Sequence, residues 1–235
     1  MEQGDSMGET RLTIPVGAAT VSALLSAPTG GASGAGVVLA HGAGNDMETP
    51  FLAGFAGALA EAGHPVLRFN FLYRERGRRA PDRPPLLEAA WRAAWNVAAT
   101  RAEFAGVPRV AAGKSMGGRI ATQLAAAGWL DPAGLLLLGY PLHPAGHPEK
   151  LRDAHLYGLE TPLLFFAGTR DSLCTLGLLQ GVLGRLRAPW ELDIVAGGDH
   201  SFTVRKRDGV PQPEVYRAIT SRSVRWLRAL TPSPR

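Results

Sequence analysis

The sequence predicts an α/β fold, a mostly parallel central sheet with helices on both faces and no large cap. Three observations carry that expectation. Short apolar runs alternate with helix-length amphipathic segments along nearly the whole chain, the pattern of a parallel sheet linked by helical crossovers. One run, Arg109-Val110-Ala111-Ala112, passes through a tight glycine-rich turn straight into the helical pattern Arg119 to Ala125. The chain has 235 residues, 46% apolar and 19% charged, the size and composition of one ordinary globular domain spanning 1–235, with residues 1–10 as a flexible lead.

The elements follow in order. Arg11 to Val16 and Ala19 to Ser26 read as a hairpin turning at Gly17, antiparallel at the sheet edge. Thr29 to Ala35, rich in Gly, Ala and Ser, reads as a surface link. The first central strand is Gly36 to Ala40, followed by a helix from about Thr49 to Glu61 and a strand from Pro65 to Phe71. A longer helix runs from Pro85 to Phe104 and places Leu87, Trp91, Trp95 and Ala98 on one face, as core rather than ligand stackers. Gly134 to Pro141, Leu163 to Ala167 and a run beginning near Trp190 read as further strands. Helices over Thr175 to Leu186 and Pro213 to Leu230 complete the set. The stretch from Leu142 to Thr161 is too short for a cap domain, so His143, His147, Lys150, Arg152 and His155 are expected to line or cover an open pocket.

The turn Gly113-Lys114-Ser115-Met116-Gly117-Gly118 carries the chemistry. A G-x-S-x-G pattern between strand and helix is the nucleophile elbow of an α/β-hydrolase, with the serine at the apex. The rival is a phosphate-cradling turn, since Gly-Lys-Ser also ends a P-loop. That template requires a glycine at position 108, which is Pro. A serine hydroxyl needs a base to take its proton and a third group to orient that base. In this fold the chain order is Ser, then an acid, then His. Asp171 lies just past the Leu163 strand, and His200 is the one histidine of six that follows both Ser115 and Asp171. Asp199 is expected to shape the loop beside it, and Asp193 to face solvent. Oxyanion donors should come from the Met116 N–H and from the loop His41-Gly42-Ala43-Gly44, with Ala43 favoured and Gly44 the alternative. His41 is expected to brace that loop, and Asn45 and Asp46 to cap the next helix.

Composition excludes several other classes. No run approaches the ~18 apolar residues of a membrane span. The polar, acidic start argues against a signal peptide. The single Cys174 rules out an intramolecular disulfide and reads as a small buried residue. A cytoplasmic location is the resulting expectation. The net charge of +5 comes from arginine, densest in Arg74-Glu75-Arg76-Gly77-Arg78-Arg79. A nucleic-acid surface would spread its basic residues over a face with stacking aromatics. This cluster is confined to a proline-bounded loop and reads either as solvated or internally paired, or as an anion-attracting rim in which Arg74, Arg76, Arg78, Arg79 and Lys114 would favour phosphorylated or carboxylated substrates. Gly44, Lys114, Arg78, Arg79 and His143 are the candidate substrate-binding residues. The scattered histidines lack metal-ligand spacing, so neither a metal nor a cofactor is expected.

Taken together, these motifs resemble the small dienelactone-hydrolase-like α/β-hydrolases, which include bacterial proteins and animal testis-expressed and histone-acetyltransferase-complex relatives. The matching segments are His41-Gly42-Ala43-Gly44, Gly77-Arg78-Arg79-Ala80-Pro81, Gly113 to Arg119, Gly139-Tyr140-Pro141-Leu142-His143-Pro144, Gly168-Thr169-Arg170-Asp171 and Asp199-His200-Ser201-Phe202. The resemblance implies an α/β-hydrolase fold and a Ser115–Asp171–His200 triad. Dienelactone hydrolases proper use a cysteine nucleophile, so lactone chemistry does not transfer to Ser115. The expected substrate is a small carboxylic ester or thioester. Because some animal relatives serve as complex subunits, the alternative is a catalytically silent interaction module.

Overall fold

In a computed structural model, the structure describes residues 8–230. Eight strands form one sheet in the order β1-β2-β4-β3-β5-β6-β7-β8. The strands are β1 (Glu9–Val16), β2 (Ala19–Ser26), β3 (Gly36–Ala40), β4 (Val66–Phe69), β5 (Arg109–Lys114), β6 (Gly134–Leu138), β7 (Leu163–Gly168) and β8 (Trp190–Val195). The helices are α1 (Pro50–Glu61), α2 (Leu72–Glu75), α3 (Pro84–Thr100), α4 (Met116–Ala126), α5 (Leu176–Leu183) and α6 (Gln212–Leu230). β1 pairs antiparallel with β2 and β2 antiparallel with β4. From β4 to β8 every pairing is parallel.

The parallel strands β3 to β7 are buried on both faces, which is why they read as largely apolar runs, whereas the edge strand β8 is mostly exposed. Their side chains divide by the two-residue period of a strand. Val38, Ala40, Leu135, Leu137 and Phe165 enter a core layer with Trp91 and Trp95 of α3. Val37, Leu39, Leu136, Leu138 and Phe166 face the opposite layer, with Phe55 of α1 and Trp226 of α6. Each fully buried large apolar side chain contributes roughly 1.5–3 kcal/mol, so the two layers fix the register of the central strands.

Several local expectations change. Residues 1–7 of the expected flexible lead lie outside the described residues, whereas Glu9 and Thr10 pair with Ser26 and Leu25. The strand expected to reach Phe71 stops at Phe69, and the chain turns into the one-turn helix α2. The long helix ends at Thr100 and is followed by a separate 3-10 turn over Ala102–Phe104. Between Leu142 and Thr161 the regular structure is a 3-10 turn, Ala154–Gly158. No described helix is long and apolar enough to cross a membrane.

Candidate active site

β5 delivers Ser115 at the carboxyl edge of the sheet. The residue has φ 51° and ψ −117°, a conformation that costs a non-glycine residue of order 1–3 kcal/mol. Neighbouring contacts hold it there. The Ser115 N–H donates to the Leu138 carbonyl at 3.0 Å. Strand and helix pass so closely that a Cβ on Gly113 would lie 2.2 Å from the Gly118 nitrogen. A Cβ on Gly117 would lie 2.7 Å from the Ala40 and His41 carbonyl oxygens. Met116 begins α4, so its N–H belongs to the first turn, where helix donors lack intrahelical acceptors and the dipole is positive.

The loop after β7 and the loop after β8 bring two further side chains to this serine. His200 Nε2 lies 2.7 Å from Ser115 Oγ, and His200 Nδ1 lies 2.8 Å from Asp171 Oδ2. The other carboxylate oxygen of Asp171 accepts the Leu173 N–H at 2.7 Å, and its side chain is fully buried. A consistent proton assignment follows. Nδ1–H donates to the carboxylate, leaving Nε2 to accept from the serine hydroxyl. Asp199 lies outside this chain of contacts and shapes the turn: its Oδ1 accepts the N–H groups of Ser201 and Thr203 at 2.8 and 2.9 Å. Asp193 sits 3.7 Å from Arg222 at the surface.

The His41–Gly44 loop approaches the serine from β3. A Cβ on Gly42 would sit 3.4 Å from Ser115 Cβ, and the exposed Ala43 and Gly44 follow directly. His41 is wholly buried. Its Nδ1–H donates to the Gly42 carbonyl at 2.8 Å, and its Nε2 accepts the Phe71 N–H at 3.2 Å. Burial pushes its pKa down to about 4, so the ring is neutral and braces the loop. The expected capping by Asn45 and Asp46 does not occur. Asp46 Oδ1 accepts the Glu48 N–H, and the N-cap residue of α1 is Thr49, without a side-chain cap bond.

The remaining candidates are mostly bound into the scaffold. Lys114 is buried, and its Nζ donates to the His200 carbonyl at 2.6 Å. His143 Nε2 accepts the Thr175 N–H at 3.1 Å, and its Nδ1–H donates to the Pro144 carbonyl at 3.0 Å. Both ring nitrogens are therefore occupied within the protein. Arg78 pairs with the buried Asp82, and Arg74 reaches Asp46 at 3.1 Å and the Arg78 carbonyl at 3.0 Å. Arg79 is exposed. The internally paired reading thus holds for Arg74 and Arg78, while Arg79 stays available on the surface. His147 lies near Glu149 at the surface. His155 faces inward, 2.8 Å from Thr122 Oγ1 and 3.3 Å from the Tyr140 hydroxyl. It ties the short segment to α4 rather than covering a pocket. Among the described residues no group of three or more His, Cys, Asp or Glu side chains could hold a metal. Cys174 is buried, and burial raises its thiol to about 12.

His155 is held neutral like His41, pushed to about 4 by burial and by Arg119. Both folded values lie below the ordinary 6.5. The unfolded chain therefore takes up protons first, and stability is lost as pH falls from about 6.5 toward 4. The expected result is a melting temperature that drops through this window, with a shallower drop in His155→Gln; thermal denaturation between pH 7 and 4.5 measures both.

A family model described as the alpha/beta hydrolase domain matches residues 33–228. Among solved structures, the dienelactone hydrolase of Anabaena variabilis is 21% identical and superposes with a TM-score of 0.71, covering 93% of this chain and 95% of that one. An α/β serine hydrolase without a lid from Xanthomonas campestris is also 21% identical, with a TM-score of 0.69 and full coverage of both chains. A dienelactone-hydrolase-like promiscuous phosphotriesterase from metagenomic libraries is 17% identical, with a TM-score of 0.72 over 97% of this chain and 100% of that one. At these identities the structures are alike in fold, and the family match spans most of the sequence. The chain belongs to the alpha/beta hydrolase domain family.

Proposed function

We propose that this hydrolase cleaves a small carboxylic ester or thioester through an acyl-enzyme on Ser115. The observation that carries the reading is the 2.7 Å contact between Ser115 Oγ and His200 Nε2, continued at 2.8 Å to the buried Asp171. Ser115 Oγ attacks the carbonyl carbon while its proton passes to Nε2. Asp171 holds the ring orientation and stabilises the imidazolium. The carbonyl π electrons move to oxygen, and the Met116 N–H and the Ala43 N–H, or that of Gly44, stabilise the resulting oxyanion. As the tetrahedral centre collapses, the bond to the alkoxide or thiolate breaks and His200 returns its proton to that leaving group. Water, deprotonated by His200, then attacks the acyl-enzyme and releases the acid. Apart from substrate and water, the scheme uses only residues of the chain and calls for no cofactor; we read the enzyme as cytoplasmic.

A fluorophosphonate reagent tests the assignment, because it captures only a serine whose hydroxyl is activated in this way. Labelling mapped to Ser115, and lost in Ser115→Ala, is the expected result. A folded protein that takes up no label from pH 6 to 9 would instead be a silent interaction module.

A further inference from the structure

Lys114 immediately precedes the proposed nucleophile, and its ammonium ends beside Gly139 (φ 67°), the residue after β6. A Cβ at that position would lie 3.0 Å from Lys114 Nζ and 3.1 Å from the His200 carbonyl oxygen. The ammonium ends on that carbonyl at 2.6 Å and lies 5.4 Å from the centre of the Phe202 ring. Phe202 has φ 64°, so the turn that carries His200 holds a conformation uncommon for a bulky residue and needs external contacts to fix it.

We infer that Lys114 is a positioning residue: by donating to the His200 carbonyl, it docks the loop that carries the base against the strand that carries the nucleophile. This inference rests on the Ser115–His200 reading above. The imidazole is then fixed at two points, its ring by Asp171 and its backbone by Lys114, and both contacts bear on the same 2.7 Å distance to Ser115 Oγ. The bond from an ammonium is roughly twice as strong as one from a neutral amine, so the clamp depends on the lysine's charge. The charged groups facing it are Asp171, from the loop after β7, and Asp199, from the loop after β8. From His200 it meets the backbone carbonyl, and the neighbouring Gly42 and Gly139 bring no side chain. Burial outweighs the two carboxylates and brings the lysine from 10.5 down to about 8.

Activity and stability should therefore part company in mild alkali. A folded value below the free one means that the unfolded chain binds this proton more tightly. Lys114 thus opposes folding below about pH 8 and ceases to do so as pH rises to 10.5. Over the same interval the clamp weakens. The test is the rate of fluorophosphonate labelling of wild type and Lys114→Met from pH 6.5 to 10, with melting temperatures at each pH. We expect wild-type labelling to fall as pH passes about 8 while its melting temperature does not. Lys114→Met should label about ten- to a hundredfold more slowly at pH 7, as for a small misplacement of a reacting group, and should lack the alkaline fall. Labelling of Lys114→Met at the wild-type rate, or more slowly but with the wild-type pH profile, would overturn the inference. A wild-type rate that holds steady all the way to pH 10 would also overturn it, even if the variant does not fold. A wild type that takes no label at all defeats the serine-hydrolase reading itself.

Discussion

Replacing Ser115 by Ala should lower kcat on a p-nitrophenyl ester by roughly 10⁴-fold or more, with little change in KM. The substitution removes one oxygen from a residue whose backbone is already fixed by the Leu138 carbonyl and the surrounding glycines, so the fold should persist. What disappears is the hydroxyl that lies 2.7 Å from His200 Nε2. Residual turnover would come from the oxyanion donors acting on water. His200→Ala should cost a similar factor, and the double variant should be no worse than either single one, because the two residues act as a unit. A Ser115→Ala enzyme that retained the wild-type rate would end the assignment.

Gly168→Ala should lower kcat about 10²-fold without touching any reacting atom. Gly168 closes β7, and a Cβ there would lie 2.3 Å from the Gly198 carbonyl oxygen and 2.7 Å from that of Asp199. Both are backbone atoms and cannot swing aside. The loop carrying His200 has to move away from the loop carrying Asp171, and the 2.8 Å contact between them lengthens. Overpacking of this kind costs about 1–3 kcal/mol, so the melting temperature falls as well. Gly181→Ala is the matching control: it lies within α5 with nothing within 4 Å of the added carbon, and it should keep full activity with a small gain in stability. Equal kcat in the two variants would show that the approach of the two loops does not set the rate.

The sequence made the elbow legible because its requirements are local. Gly113, Ser115 and Gly117 must sit at fixed offsets between an apolar run and a helix. The parallel strands were legible for a similar reason, since burial on both faces leaves unbroken apolar runs such as Leu135 to Leu138. Chain order then picked out Asp171 and His200. Contacts between distant loops left no such trace. The bond from Lys114 to His200 joins residues 86 positions apart, and neither neighbourhood has a periodicity that announces it. One signal was available: a lysine flanked by an apolar strand and a buried elbow has few places to go, and Gly139 offers the opening. The internal partner of His143 could not be read in advance, because Thr175 comes 32 residues later. The one-turn α2 escaped because four residues carry no helical period, and Asp46 turned back onto Glu48 instead of reaching the helix that follows.

The separation between Ser115 and His200 also bears on when the protein becomes reactive during its synthesis. The serine emerges on β5, but its base arrives 85 residues later, on the loop beyond the last strand. If His200 is the base, as proposed, then until β8 has joined the sheet edge the hydroxyl lacks its proton acceptor and is chemically an ordinary serine. On that proposal a nascent or partly unfolded chain would not acylate itself on a stray ester, and a covalent serine probe would count molecules whose sheet is complete.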